Sequence, residues 1–270
     1  MWISSPKAFS CASSLALGVL VLPATASAQT PACTSPPELK RLDQPLRRVA
    51  QRIVARQPLT VVAIGSSSTA GAGASSSAAS YPSRLEVELK QRFPNLPIKV
   101  LNRGVGGEEM ADMLARFDQT VLAEKPDLVL WQVGTNAVLR HLSVIGSESI
   151  LHDGLERLKA SGADVVMIDP QFAPKVTAEA SAVRMVDMIE AAAKAENIAV
   201  FHRFSVMRHW SQVEQLSFDS FLSPDRLHMN DWSYSCVAKL LAAAIYDAAT
   251  RATAVAGSAV ALPHVNTSSH

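Results

Sequence analysis

Five short runs set the strongest limit on what this chain can fold into: LTVVAI (59–64), IKVLN (98–102), DLVLWQV (127–133), DVVMID (164–169) and IAVFH (198–202). Each is almost continuously apolar and rich in β-branched residues. A strand with one wet face alternates apolar and polar residues, so runs without alternation belong in a parallel sheet covered on both faces. Amphipathic stretches at helical spacing lie between them, at about 82–92, 108–123, 144–160 and 176–196. Parallel neighbours need a crossover long enough for a helix, and such crossovers are right-handed. The alternation therefore predicts an α/β fold in which helices cover both faces of a five-stranded parallel sheet. A last helix, DWSYSCVAKLLAAAIYDAATRA, is expected to start after Asn230 as its N-cap.

The ends of the chain read differently from its middle. Residues 1–28 hold one charge, Lys7, then the apolar stretch CASSLALGVLVLP and the small-residue site Ala26-Ser27-Ala28. That order predicts a secretory signal cleaved after Ala28, and a periplasmic or secreted mature protein. Its apolar segment is too short to span a bilayer comfortably, which makes a retained N-terminal anchor the weaker alternative. No later run is long enough, so no stable membrane insertion is expected after signal removal. The remainder divides into an N-terminal arm and helix (29–57), one α/β domain (58–253) and a small, polar tail (254–270) expected to be flexible.

Charge narrows the partners. With 25 Lys and Arg against 24 Asp and Glu, the formal charge is +1, and losing Lys7 with the signal leaves the mature chain near neutral. Nucleic acid and acidic membranes recruit clustered cations, which are missing here. The one basic stretch, Leu39 to Arg56, has apolar residues at helical spacing between its charges and reads as a solvated helix face. Of three cysteines, Cys11 lies in the expected signal, which leaves an even pair in an exported chain. A disulfide between Cys33 and Cys236 is expected, tying the N-terminal arm to the C-terminal helix. The histidines 141, 152, 202, 209, 264 and 270 lack the neighbours that metal sites need, so neither metal nor cofactor is expected. The sequence leaves the oligomeric state open.

The stretch GSSSTAGAG (65–73) follows the first apolar run directly. Its composition resembles a flexible linker, but it joins a strand to a helix at the carboxyl edge of the sheet, where open α/β folds bind ligands. A phosphate loop would need Lys followed by Ser or Thr after its second glycine, and a dinucleotide fingerprint would need glycine where Ser76 stands. The G-x-S-x-G elbow fails at Thr69. What remains is a serine presented at the end of the first strand.

There the chain resembles the SGNH (GDSL-type) hydrolase family, whose first block has the form G-D-S-L-T-x-G. Here it reads Gly65-Ser66-Ser67-Ser68-Thr69-Ala70-Gly71. NRGVGGE after the second strand, VGTNAV after the third and SPDRLHMND near the C-terminus look like the second, third and fifth blocks. Four short blocks occur in the family's order at the expected strand ends. The resemblance implies a flavodoxin-like three-layer α/β/α sandwich. It also implies a nucleophile at Ser67, a base at His228 and an orienting acid at Asp225. An oxyanion hole would then form from the N–H groups of Ser67 and Gly107 and the side chain of Asn136. Ser66 and Ala137 stand where the family often has Asp, and three adjacent serines leave the register open by one residue.

The activity implied is cofactor-free hydrolysis of short-chain carboxylic esters, including O-acetyl groups on glycans. Two alternatives stay open: a lipase or thioesterase acting on longer chains, and a non-catalytic glycan- or envelope-binding module. Phe204, Met207 and Trp210 could line a substrate pocket, although core packing is the simpler role.

Overall fold

A computed structural model of the chain describes residues 1–2 and 31–260. Contacts divide it into two units, Met1–Ala32 and Cys33–His270, and every element named below belongs to the second. The expected signal, 1–28, lies outside the described residues except for its first two.

All five apolar runs are strands: β1 Leu59–Gly65, β2 Ile98–Gly104, β3 Leu128–Gln132, β4 Asp164–Ile168 and β5 Ala199–Phe201. They form one parallel sheet in the order β2-β1-β3-β4-β5. Every residue of β3 and all but one of β1 are buried, which is why those runs show no alternation. β2 differs: it is an edge strand, and most of it is only half-buried.

Among the described residues there are also twelve α-helices and three short 3-10 helices, at Pro37–Lys40, Ser77–Ala79 and Leu122–Glu124. α1 (Arg47–Ala55) precedes the sheet; α2 (Ser67–Ala70) and α3 (Tyr81–Arg92) follow β1; α4 (Met110–Ala115) and α5 (Phe117–Thr120) follow β2. α6 (Thr135–Leu139) and α7 (Val144–Ala160) follow β3, and α8 (Pro174–Thr177) and α9 (Ala182–Ala195) follow β4. After β5 come α10 (Arg203–Gln212), α11 (Phe218–Phe221) and the long α12 (Asp231–Val260). α1, α3 and α12 pack together, as do α4, α7 and α9, which gives the three-layer α/β/α sandwich with the flavodoxin-like strand order.

Two expected helices are broken. The stretch 108–123 stops at Arg116, whose backbone leaves helical geometry while its guanidinium bonds Glu108 and the Arg103 carbonyl. The stretch 176–196 divides into α8 and α9, with the Thr177 hydroxyl turned back onto the Ala173 carbonyl at 3.2 Å. The last helix begins as expected, its cap made by Asn230 Oδ1 accepting the Ser233 N–H at 3.1 Å. It runs on to Val260, so the tail expected from 254 begins inside it, in keeping with an alanine-rich segment. Residues 261–270 lie outside the described residues.

The basic stretch is more than a solvated face. Arg48 Nε (3.0 Å) and Arg52 Nε (2.7 Å) both donate to Asp127 Oδ1, and the Val49 N–H donates to Asp164 Oδ2 at 2.9 Å. α1 is thereby fastened to the amino ends of β3 and β4. The expected disulfide is present: Cys33 and Cys236, 203 residues apart in sequence, join the arm to α12. Among the described residues, no helix is long and apolar enough to cross a membrane.

Candidate active site

The three consecutive serines have different surroundings. Ser66 and Ser68 are 2% and 1% exposed, whereas Ser67 is partly open to solvent. The Ser66 N–H and hydroxyl both bond Gln132 Oε1, at 3.0 and 3.2 Å, and the Ser68 hydroxyl bonds Gln171 Oε1 at 3.3 Å. Ser67 begins α2, and its hydroxyl lies 2.8 Å from His228 Nε2, a residue 161 positions away. Of the three serines, Ser67 is the one whose hydroxyl meets the His228 ring; the hydroxyls of Ser66 and Ser68 go to Gln132 and Gln171. The turn is held against β2, where the Asn102 side chain donates to the Thr69 carbonyl at 2.9 Å. A Cβ on Gly104 would fall 2.2 Å from the Ala70 nitrogen, so only glycine lets the end of β2 pass this close.

Residues 223–231 bring His228 to the serine. Asp225 Oδ1 closes the turn, accepting from the Ser223 hydroxyl (2.7 Å), the Leu227 N–H (3.0 Å) and the His228 N–H (2.9 Å). Its other oxygen, Oδ2, is 2.5 Å from His228 Nδ1. Partial burial alone would raise the Asp225 pKa. The bonds from the His228 ring and N–H, Ser223 and Leu227 outweigh it and hold the carboxyl far below the usual carboxylate range. An ionised carboxylate only accepts, so Nδ1 is the ring nitrogen that donates to Asp225, and a neutral ring in that tautomer presents the Nε2 lone pair to Ser67. The arrangement can draw a proton from the serine hydroxyl and stabilise the imidazolium that results.

The loops after β2 and β3 meet beside this serine because β1 lies between those strands. The Val105 N–H bonds the Gly65 carbonyl at 3.0 Å, which extends the β1–β2 pairing to the loop that carries Gly107. Asn136, in the first turn of α6, donates from Nδ2 to the Glu108 carbonyl at 2.7 Å. One amide hydrogen is used there, and the second has no acceptor among the described residues. Arg140 braces the same loop through the Gly107 carbonyl (2.9 Å) and Glu109 (2.5 Å). The backbone N–H groups of Ser67 and Gly107 have no acceptor among the described residues.

Phe204, Met207 and Trp210 are buried and belong to the core. Trp210 makes edge contacts with Phe221 and Trp232. His202, half-buried, lies just past the end of β5, at the N-cap position of α10. Among the described residues, no group of three or more His, Cys, Asp or Glu side chains is placed to hold a metal ion.

Sequence reasoning missed two neighbours of the site, Gln132 and Gln171, both buried, whose carboxamides collect hydrogen bonds from the serine turn. Gln132 also explains how Ser66 is tolerated in the position of an acid. Its neutral oxygen accepts from the Ser66 N–H and the Ser66 and Thr69 hydroxyls. A polar residue at the end of an apolar run was the available signal.

Comparison with known proteins bears on this geometry. The model of the Non-GDSL lipase-like family matches residues 32–251. Over 52 residues, 19% of the chain, it is 40% identical to an acetylxylan esterase of Geobacillus stearothermophilus, of which that segment covers 24%. Among solved structures, a two-domain esterase (CEX) active on acetylated mannans, crystallised with mannopentaose, superposes with a TM-score of 0.66. That match is 20% identical and covers 78% of this chain and 56% of the other. Axe2, an acetylxylan esterase from Geobacillus stearothermophilus, superposes with a TM-score of 0.57 at 19% identity, over 71% of this chain and 94% of that one. At these identities the structures show the shared fold alone. The chain spans about a quarter of the curated relative and little more than half of the two-domain esterase.

Proposed function

The chain belongs to the Non-GDSL lipase-like family, and from that premise we propose that it is a serine esterase of the SGNH type, removing acetyl or other short acyl groups from carbohydrate. The observation that carries this reading is the unbroken chain of hydrogen bonds from Ser67 through His228 to Asp225, at 2.8 and 2.5 Å. A first block reading GSSS in place of GDSL agrees with the family's description as non-GDSL. Relatives named for acetylxylan and acetylated mannans supply the acetyl-glycan part of the proposal.

In the proposed reaction the Ser67 oxygen attacks the ester carbonyl as its proton passes to His228 Nε2. The imidazolium is stabilised by Asp225. Negative charge building on the carbonyl oxygen meets the Ser67 and Gly107 N–H groups and the second amide hydrogen of Asn136. Collapse of the tetrahedral intermediate expels the sugar alkoxide, which takes the proton from His228. Water then attacks the acyl-Ser67 ester, giving its proton to His228. The carboxylic acid leaves as the His228 proton returns to the Ser67 oxygen, and it then ionises in water.

A fluorophosphonate probe tests the assignment. Labelling is expected in the wild type and in Ser66→Ala but not in Ser67→Ala, where turnover should fall by about 10⁴-fold or more. A p-nitrophenyl ester series is expected to favour acetate over longer chains, with acetate released from acetylated xylo-oligosaccharides. An unlabelled wild type would overturn the proposal, and preference for octanoate would move it to the lipase class. We also propose export, supported by the composition of residues 1–28 and by a disulfide of the kind oxidising compartments maintain. N-terminal sequencing of the mature protein should then begin at Gln29.

A further inference from the structure

Behind the serine turn lies a side chain that the proposed reaction does not use. Gln171, three residues beyond β4, is wholly buried. Its Oε1 accepts from the Thr135 hydroxyl (2.9 Å), Arg203 Nη2 (3.1 Å) and the Ser68 hydroxyl (3.3 Å). Its Nε2 donates to the Leu227 carbonyl at 3.4 Å. Three of these partners adjoin the proposed machinery in sequence: Ser68 follows Ser67, Thr135 precedes Asn136, and Leu227 precedes His228. One planar group therefore touches the segments that carry nucleophile, oxyanion amide and base.

The orientation of that group is dictated by charge. A guanidinium offers donors only, so the carboxamide must turn its oxygen to Arg203, and its NH₂ then faces Leu227. Arg203 is itself wholly buried, with Nε donating to the Asp169 carbonyl at 3.0 Å, so the reference point is part of the core. We propose that Gln171 is a positioning residue that sets the mutual placement of Ser67, Asn136 and His228 from behind. The inference rests on the serine-esterase reading of those three residues. Because Gln171 is buried behind the serine turn, its loss should act on turnover and not on binding.

The experiment replaces Gln171 with Met, of similar length but without the acceptor, and with Glu, which keeps an oxygen for all three donors. In Gln171→Met, kcat on p-nitrophenyl acetate should fall about 10–100-fold with KM within about threefold, and fluorophosphonate labelling should slow by the same factor. Gln171→Glu, which keeps the acceptor for Ser68 and Thr135 but cannot donate to the Leu227 carbonyl when ionised, should restore part of that loss. A folded Gln171→Met with kcat within about twofold of wild type would overturn the inference. Equal losses in Met and Glu variants that merely track thermal stability would overturn it too. Should Gln171→Met not fold, Ser68→Ala and Thr135→Val each remove one donor. Both should slow kcat, non-additively in the double variant, and normal kcat in both singles overturns the inference. A wild type that neither labels nor hydrolyses would bring down the esterase reading and this inference together. An active wild type beside an unaffected Gln171→Met brings down this inference alone.

Discussion

Asp127 and Asp225 are both carboxylates fastened by several hydrogen bonds, at opposite ends of the same sheet. Asp127, 2% exposed in its side chain, precedes β3 and accepts from Arg48, Arg52 and the Thr60 N–H. Asp225, 44% exposed, lies in the loop that reaches the carboxyl end. All the partners of Asp127 are scaffold groups, and its network ends where it began. The network of Asp225 runs outward through His228 to a partly exposed hydroxyl, beside two N–H groups that lack an acceptor among the described residues. Ser67 is only partly buried and Gly107 is exposed, so their open N–H groups are free to meet water or a ligand, and the proposed reaction assigns them to the ester oxygen.

The contrast can be attacked from either end. The largest effect is expected at the open rim: Asn136→Ala should lower kcat by about 10²–10³ and leave the melting temperature little changed. A variant within about threefold of wild type would remove Asn136 from the oxyanion hole. Next comes Gly73, which sits at φ +86° with space for a Cβ only 2.5 Å from the Met229 carbonyl and 3.0 Å from the His228 Cβ. Gly73→Ala should push the His228 turn aside and cost about tenfold in kcat, visible in steady-state kinetics as a loss in kcat more than in KM. An alanine variant with normal turnover would mean that the turn yields freely.

At the closed rim the prediction inverts. Asp127→Asn should cost about 1–2 kcal/mol in denaturant unfolding, a modest figure because Arg48 stays 40% exposed, with kcat within about twofold of wild type. Loss of activity without loss of stability would erase the distinction between the two ends. The last effect is read as a pH slope. Burial pushes Asp169 up to about 6 from the ordinary 3.8, against the Phe204 N–H and the His202 and Arg203 charges that pull it down. Its folded-state value is the higher one. As pH rises from about 4 to 6 the unfolded chain therefore releases this proton first, and folding weakens. Asp169→Asn should flatten that part of the stability profile, and parallel profiles for the two proteins would contradict it.

What the sequence disclosed and what it hid divide along the same physical line. The strands were legible because a parallel sheet buries both faces, and β1 and β3 carry that requirement residue by residue. Ser67, Asp225 and His228, whose side chains the structure brings together, were picked out through the resemblance of their short blocks to a known family. Gln171 was not, since its meaning lies in meeting Ser68, Thr135 and Leu227, 103, 36 and 56 positions away. The same holds for Arg48 and Arg52, whose helical spacing was plain but whose common partner Asp127 lies 79 and 75 residues on. The break at Arg116 was hidden for a related reason, because it is drawn by a guanidinium reaching back to Glu108. Local pattern reports burial and turn chemistry; it does not report which polar groups folding brings together.

The bond between Cys33 and Cys236 encloses both Ser67 and His228 within one covalent ring. A single peptide cleavage anywhere between the cysteines would open that ring without separating its pieces, so hydroxyl and imidazole would still travel as one molecule. For a chain we propose to be exported, that is tolerance to a first proteolytic nick. It would vanish once the sulfurs were reduced.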